Sequence, residues 1–229
     1  MAWTGSLDWP TVETSHTEVE ARMLLQAIPS GATVLEAGCG RTTRLADHRD
    51  RIARLVGIDL DGTAGRENAS LDEFIAADLS EPLPFEDATF DLVYSNFVVE
   101  HLDDPARTFR EFHRVLRADG WLVLLTSNRS NPFMAAARAM PQRLRVLVKR
   151  SGAGAVERDV FPARYRANTP AALEAATRAA GFTANSVAYV ATLHRYGARV
   201  PGAAQVLRWA ERALPEQRRS TIVAAYRAT

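Results

Sequence analysis

Three acidic residues end three successive β-prone runs, and the first of them opens a glycine turn. The stretch Val34-Leu35-Glu36-Ala37-Gly38-Cys39-Gly40-Arg41-Thr42-Thr43 reads as a strand running straight into that turn. Glycine lets the backbone pass close to a ligand. A strand, a glycine turn and a helix at the carboxyl edge of a parallel sheet build a nucleotide-type site. Two details narrow the ligand. The third glycine of a dinucleotide fingerprint falls at Thr43, and Glu36 puts a carboxylate just ahead of the turn. That carboxylate repels a pyrophosphate and attracts an ammonium or sulfonium. The ligand this defines is a nucleoside with a cationic tail, not NAD. The second run ends in Gly57-Ile58-Asp59, where an acid can accept both hydrogen bonds of a ribose diol. The third ends in Ala77-Asp78-Leu79, where Asp78 can accept from an adenine amino group while Leu79 packs on the ring.

These residues need a parallel sheet beneath them. Short β-prone runs lie at Thr33–Ala37, Leu55–Asp59, Phe74–Asp78, Phe90–Ser95 and Trp121–Ser127, with helix-like or turn-rich stretches between them. Strand–helix alternation of this kind predicts a sheet covered on both faces. Residues 15–28 have Val19, Met23, Leu24 and Ile28 near one helical face, and residues 1–30 read as an N-terminal helical cap. The clearest helix is 105–117. Asp104 caps it, Pro105 suits its first position, and Ala106, Phe109, Phe112, His113 and Leu116 form its stripe. After Asn128 the pattern changes. Residues 129–168 are rich in Arg, Pro and Gly, and read as an acceptor-side insertion of short helices and loops. Helix 170–180, strands Ser186–Ala191 and Ser220–Arg227, and a helix near 202–213 close the chain.

The 229 residues suit one domain over 1–229, and 28 basic against 27 acidic side chains give no reason to expect nucleic acid. A single cysteine, Cys39, excludes a disulfide framework and a cysteine-based zinc site. Apolar runs such as Trp121–Leu125 are far short of a membrane span, and the first residues lack the pattern of a signal peptide. A cytoplasmic protein is the expectation.

The segment from Val34 to Asn128 resembles the class I S-adenosylmethionine-dependent methyltransferases, especially the small bacterial type 11 group. The likeness rests on VLEAGCGRTTRLA, GIDLD and AADLSEPLPFEDATFDLVYSNFVVEHLDDPARTFREFHRVLRADGWLVLLTSN, and more loosely on RDVFPARYRANTP with AAGF. The resemblance implies a Rossmann-like α/β fold with a seven-stranded sheet of order 3-2-1-4-5-7-6, the last strand antiparallel. It implies S-adenosyl-L-methionine as cofactor. Glu36, Gly38 and Gly40 would hold its methionine end, with Asn96 lining the methionine and sulfonium region. Asp59 would take the ribose, Leu60 would border the adenine, and Asp78 and Leu79 would recognise it. Many relatives have glycine near position 42, where this chain has Thr42.

In that family the segment Val98-Val99-Glu100-His101-Leu102 faces the reacting methyl group. The imidazole of His101 can serve as general base for a hydroxyl acceptor, and Glu100 can do the same or orient it. Alternatively, His101 only caps or packs the helix that follows. Adjacent Glu-His also occurs in metal-using relatives, but the place of their further ligand is Phe97 here, and no metal is expected. Phe161, Tyr165 and Arg166 offer aromatic and guanidinium groups for a sugar or a carboxylated small molecule. The basic run over 138–150 suits peripheral contact with anionic lipid, or simply a solvated face. Three functions follow: O-methylation of a small molecule such as a natural product or sugar, methylation of a lipid- or glycan-linked acceptor at a membrane, or a non-catalytic cofactor-binding scaffold.

Overall fold

The computed structural model describes residues 15–139, 162–197 and 202–229. The chain opens with α1 (His16–Ala27), whose start is fixed by Ser15 accepting a hydrogen bond from the Glu18 amide at 3.2 Å. Five strands follow with short helices between them: β1 (Ala32–Ala37), β2 (Ile52–Asp59), α2 (Gly62–Arg66), β3 (Glu73–Ala76), β4 (Phe90–Asn96), α3 (Pro105–Val115) and β5 (Leu116–Ser127). Then come α4 (Pro132–Ala139), α5 (Pro170–Ala179), β6 (Phe182–Val190), α6 (Ala203–Arg212) and β7 (Thr221–Ala228). The sheet order is β3-β2-β1-β4-β5-β7-β6. The first five strands run parallel, and β7 lies antiparallel between β5 and β6. This is the Rossmann-like order expected from the resemblance.

Alternation along the central strands sends side chains into two cores. Leu35, Val56, Val93, Leu122 and Leu124 pack with Phe109 and Phe112 of α3 and Leu173 of α5 on one face. Val34, Leu55, Leu92, Val123 and Leu125 pack with Val19, Met23 and Leu24 of α1 on the other. Glu36 and Tyr94 are paired across β1 and β4 and lie on the α1 face. Three of the four apolar positions read along α1 meet this core directly, and Ile28 caps it from just past the helix end.

Differences from the expected boundaries have local causes. Helix α3 starts at Pro105 with Asp104 accepting from the Arg107 amide at 3.1 Å, but ends at Val115 because Leu116 already pairs with Phe90. The tight bend needed there lies inside β5, at Asp119 with φ +60°. Strand β6 begins at Phe182, four residues before the expected start, because Gly181 at φ +92° turns the chain directly out of α5. His113 is only half-buried: its ring meets Phe182 edge-on at 5.3 Å, and Nε2 lies 3.2 Å from the Thr229 carbonyl. Within 129–168 the described residues form α4 and irregular chain, held by Asn131, which caps α4 with its side-chain oxygen and donates to Glu211 and the Arg218 carbonyl. Most of the 138–150 run lies outside the described residues. No helix among the described residues is long and apolar enough to cross a membrane.

Candidate active site

The glycine turn leaves β1 with Gly38 at φ +77° and Gly40 at φ +49°. A Cβ on Gly38 would stand 2.2 Å from Val98 Cγ2, so the turn is pressed against the segment that follows β4. The Gly38 and Cys39 amides donate to the Ile58 carbonyl at 2.8 and 3.2 Å. The Gly40 amide donates to Asp59 Oδ2 at 2.9 Å, and Asp59 Oδ1 accepts from the Asp61 amide at 2.9 Å. Asp59 therefore braces the turn. This is a structural duty beyond the ribose contact expected of it. A carboxylate has about four lone-pair sites, so capacity for a ribose diol is left over.

Glu36 is buried, and its Oε2 has no hydrogen-bond partner among the described residues. Burial pushes its pKa up to about 8, helped by the nearby acids Glu20 and Asp59 and opposed by the Thr43 hydroxyl. Ser95 Oγ and Asn96 Oδ1, at the end of the adjacent strand β4, are likewise buried atoms without partners. Asn96 falls on the Glu36 face and Ser95 on the α3 face, so Glu36 and Asn96 are the pair of unmet atoms on one side of the strand ends, and an ammonium carries three N–H groups to offer them. Beneath them α1 contributes Glu20, which accepts from the Tyr94 hydroxyl and lies 3.4 Å from Arg44 Nε. Cys39 sits between the glycines, its thiol pushed up to about 12, chiefly by burial, and so unsuited to nucleophilic work.

Leu60 is 58% exposed beside Asp59, an apolar surface at the rim where an adenine border was expected. Asp78 is exposed two residues past β3, and its Oδ1 accepts from the Ser80 amide at 2.8 Å. Leu79 differs from expectation. Its side chain belongs to the core under α3, and its carbonyl accepts from the Thr108 hydroxyl at 3.1 Å.

The segment after β4 turns sharply at Phe97 (φ +55°) and enters a single 3-10 turn, Val99–His101. Glu100 is buried, and its two oxygens accept from Thr126 Oγ1 at 2.8 Å and Ser127 Oγ at 2.9 Å. Its carboxylate is thus spent on the end of β5, which corrects the expectation that it orients the neighbouring imidazole. His101 is half-buried, with Nδ1 3.3 Å from the Pro162 carbonyl. Tyr165 is half-buried at φ +54°, and its amide donates to the Glu100 carbonyl at 2.9 Å. Arg166 is exposed and lines an open groove of about 360 Å³ with Asp103, Asp104, Ala106 and Ala176, between the start of α3 and α5. Phe161 lies outside the described residues. Of the expected residues, the structure brings Glu36, Gly38, Gly40, Asp59 and Asn96 to one edge, and sets Arg166 in a groove between two helices.

A family model described as a methyltransferase domain matches residues 35–124, which span the turn, the three acids and the Glu-His segment. The chain carries a class I S-adenosylmethionine-dependent methyltransferase domain. A malonyl-[acyl-carrier protein] O-methyltransferase of Pseudescherichia vulneris is 36% identical over 98 residues, covering 42% of this chain and 39% of that protein. The chain thus spans well under half the length of this curated relative. An S-adenosylmethionine-dependent methyltransferase from Mesorhizobium loti shares the fold with a TM-score of 0.58 at 18% identity, over 91% of this chain and 95% of that one. A geranyl diphosphate C-methyltransferase from Streptomyces coelicolor A3(2) does so with a TM-score of 0.61 at 15% identity, over 92% and 80%.

The methyltransferase domain also holds residues that sequence reasoning missed. Ser95 read as an ordinary strand residue, and Thr126, Ser127 and Asn168 gave no local signal, because their partners lie 26 to 42 positions away. Glu20 looked like one more charge on an amphipathic helix, although its apolar-face neighbours Val19 and Met23 pointed to its burial.

Proposed function

We propose that this chain transfers a methyl group from S-adenosylmethionine to a hydroxyl of a small-molecule acceptor. The observation that carries the reading is the buried Glu36 carboxyl at the glycine turn, whose Oε2 has no partner among the described residues and which shares its face of the sheet with Asn96. S-adenosylmethionine supplies, when bound, an electrophilic methyl group on a sulfonium. Glu36, with Asn96 on the same face, would hold the ammonium, Asp59 the ribose hydroxyls, and Asp78 the adenine amino group, while Leu60 covers the ring. Gly38 and Gly40 would let the turn close against the ligand. In-line displacement asks the protein mainly for alignment and exclusion of water. His101 would take the proton of the acceptor hydroxyl. In the neutral ring a proton on Nδ1, facing the Pro162 carbonyl, leaves the lone pair on Nε2. Tyr165, Arg166 and Phe161 would contribute to acceptor binding.

The relatives support methyl transfer without agreeing on the atom. One is named an O-methyltransferase and one a C-methyltransferase. Oxygen is favoured here because a base stands in the segment after β4. Calorimetric titration tests the cofactor half of the reading: S-adenosylmethionine and its demethylated product should bind, and NAD should not. Comparable binding of NAD would overturn it. A second reading, a lipid- or glycan-linked acceptor at a membrane surface, is favoured by one observation. Val206 and Trp209, three apart on α6, are 68% and 67% exposed beside Arg208 and Arg212. Salt-sensitive binding to anionic vesicles would select it.

A further inference from the structure

The chain leaves a carboxylate in this region that the chemistry does not use. Glu100 is buried next to His101, yet both of its oxygens are engaged by hydroxyls of β5. The direction of those bonds is fixed. Asn168 Nδ2 can only donate, so at 2.6 Å Thr126 Oγ1 accepts from it and sends its own proton to Glu100 Oε2 at 2.8 Å. Asn168 also donates to the Ser127 carbonyl at 3.2 Å, and its own carbonyl accepts from the Arg129 amide at 2.6 Å. This anchors the far end of residues 162–168. The near end is anchored by the same glutamate: its backbone carbonyl accepts from the amides of Arg164 at 2.6 Å and Tyr165 at 2.9 Å. Arg164 adds an ion pair to Asp103 at 3.0 Å. The segment is therefore tied at both ends to one residue, through its carboxylate and its carbonyl. Two residues before the near tie, Pro162 presents its carbonyl to His101 Nδ1.

We propose that Glu100 is a positioning residue: a two-ended clamp that seats residues 162–168 on the ends of β4 and β5 and thereby fixes the tautomer of His101. A backbone carbonyl only accepts, so the Pro162 contact keeps the proton on Nδ1 and the lone pair on Nε2. The same seating holds Tyr165 in its left-handed backbone conformation, which a non-glycine residue keeps only where its surroundings impose it. The clamp acts through hydrogen bonds, not through proton transfer. The assignment gains its functional meaning from the reading of His101 as base, but its test involves no turnover and stands or falls separately.

The test uses the full chain without ligand. Thr126→Val keeps the shape of the side chain and removes the hydroxyl that links Asn168 to Glu100. Nitrogen-15 spectra of the imidazoles, with Nδ1 and Nε2 told apart, should show His101 protonated on Nδ1 in the native protein. In Thr126→Val that preference should be lost. Amides of residues 164 and 165 should exchange with deuterium about tenfold faster or more, the factor carried by losing one hydrogen bond to a charged group. Thr126→Ser should restore both readouts, and exchange in α1 and α3 should not change. Should Thr126→Val fail to fold, Ser127→Ala removes the other donor to Glu100 and is read in the same way. A folded variant with native exchange at 164 and 165 and an unchanged His101 tautomer would overturn the clamp.

Discussion

Replacing Glu36 with glutamine should abolish a proton release that the native protein shows when it binds its cofactor. The buried acid has a pKa of about 8, so before binding at pH 7 it is about nine-tenths protonated. An ammonium placed against it favours the carboxylate. Binding at pH 7 should therefore expel about 0.9 of a proton. The carboxylate fraction rises from about 1% at pH 6 to about 9% at pH 7, which makes binding roughly tenfold tighter over that step, or about 1.4 kcal/mol. The gain should level off near pH 8, where the ligand's own amino group begins to lose its proton. The same shift acts on folding. Between about 4.5 and about 8 the folded chain without ligand holds more of this proton than the unfolded chain does. The contribution of Glu36 to stability is thus complete below pH 4.5 and is lost as pH rises through 8. The assay is calorimetric titration with S-adenosylhomocysteine in two buffers of different ionisation enthalpy. Glu36→Gln should bind more weakly, release no proton and show a flat profile between pH 6 and 7.5. A native protein that releases no proton at pH 7 and binds equally well at pH 6 would refute the reasoning.

Other substitutions separate binding, folding and chemistry. Asp59→Ala loses the bonds to the Gly40 and Asp61 amides as well as those to a ribose. It should cost roughly 1.5–3 kcal/mol of cofactor affinity and also lower the melting temperature, measured by calorimetry and thermal denaturation. Gly38→Ala sets a Cβ 2.2 Å from Val98 Cγ2 at φ +77°, and should destabilise the fold by about 1–3 kcal/mol. A melting temperature equal to that of the native protein would show that the turn is not under this constraint. His101→Ala should lower turnover by roughly 10²–10⁴ with cofactor affinity unchanged, and by less at high pH, where a hydroxyl acceptor ionises unaided. Native turnover of a folded His101→Ala protein across pH 6–9 would rule out the base.

Local signals carried the cofactor half of the domain. Gly38 and Gly40 announce a close turn because only glycine takes positive φ at so little cost. Asp104 marks a helix start because capping is a contact between near neighbours in sequence. Asp59 was legible as an acid at a strand end, but not as the brace of the turn, since its partner Gly40 is 19 residues away across a strand pair. The acceptor half was less legible. Glu100 followed by His101 suggests an acid that serves its neighbour, whereas the fold turns the carboxylate towards Thr126 and Ser127. Nothing near Asn168 in the sequence says that it will reach β5. Arg166 has the right chemistry for an acidic acceptor, but packing of α5 against α3 sets it in a groove of their own. Leu79 adjoins the adenine-type acid in sequence, yet the turn after β3 places its side chain in the core under α3.

The central claim, methyl transfer from S-adenosylmethionine to a hydroxyl-bearing small molecule, is met most directly by metabolite profiling of a strain lacking this protein. A species lighter by one methyl group should accumulate in that strain. The purified protein, given methyl-labelled S-adenosylmethionine, should place the label on an oxygen of that species. An unchanged metabolite profile, with no label leaving S-adenosylmethionine in the extract, would contradict it.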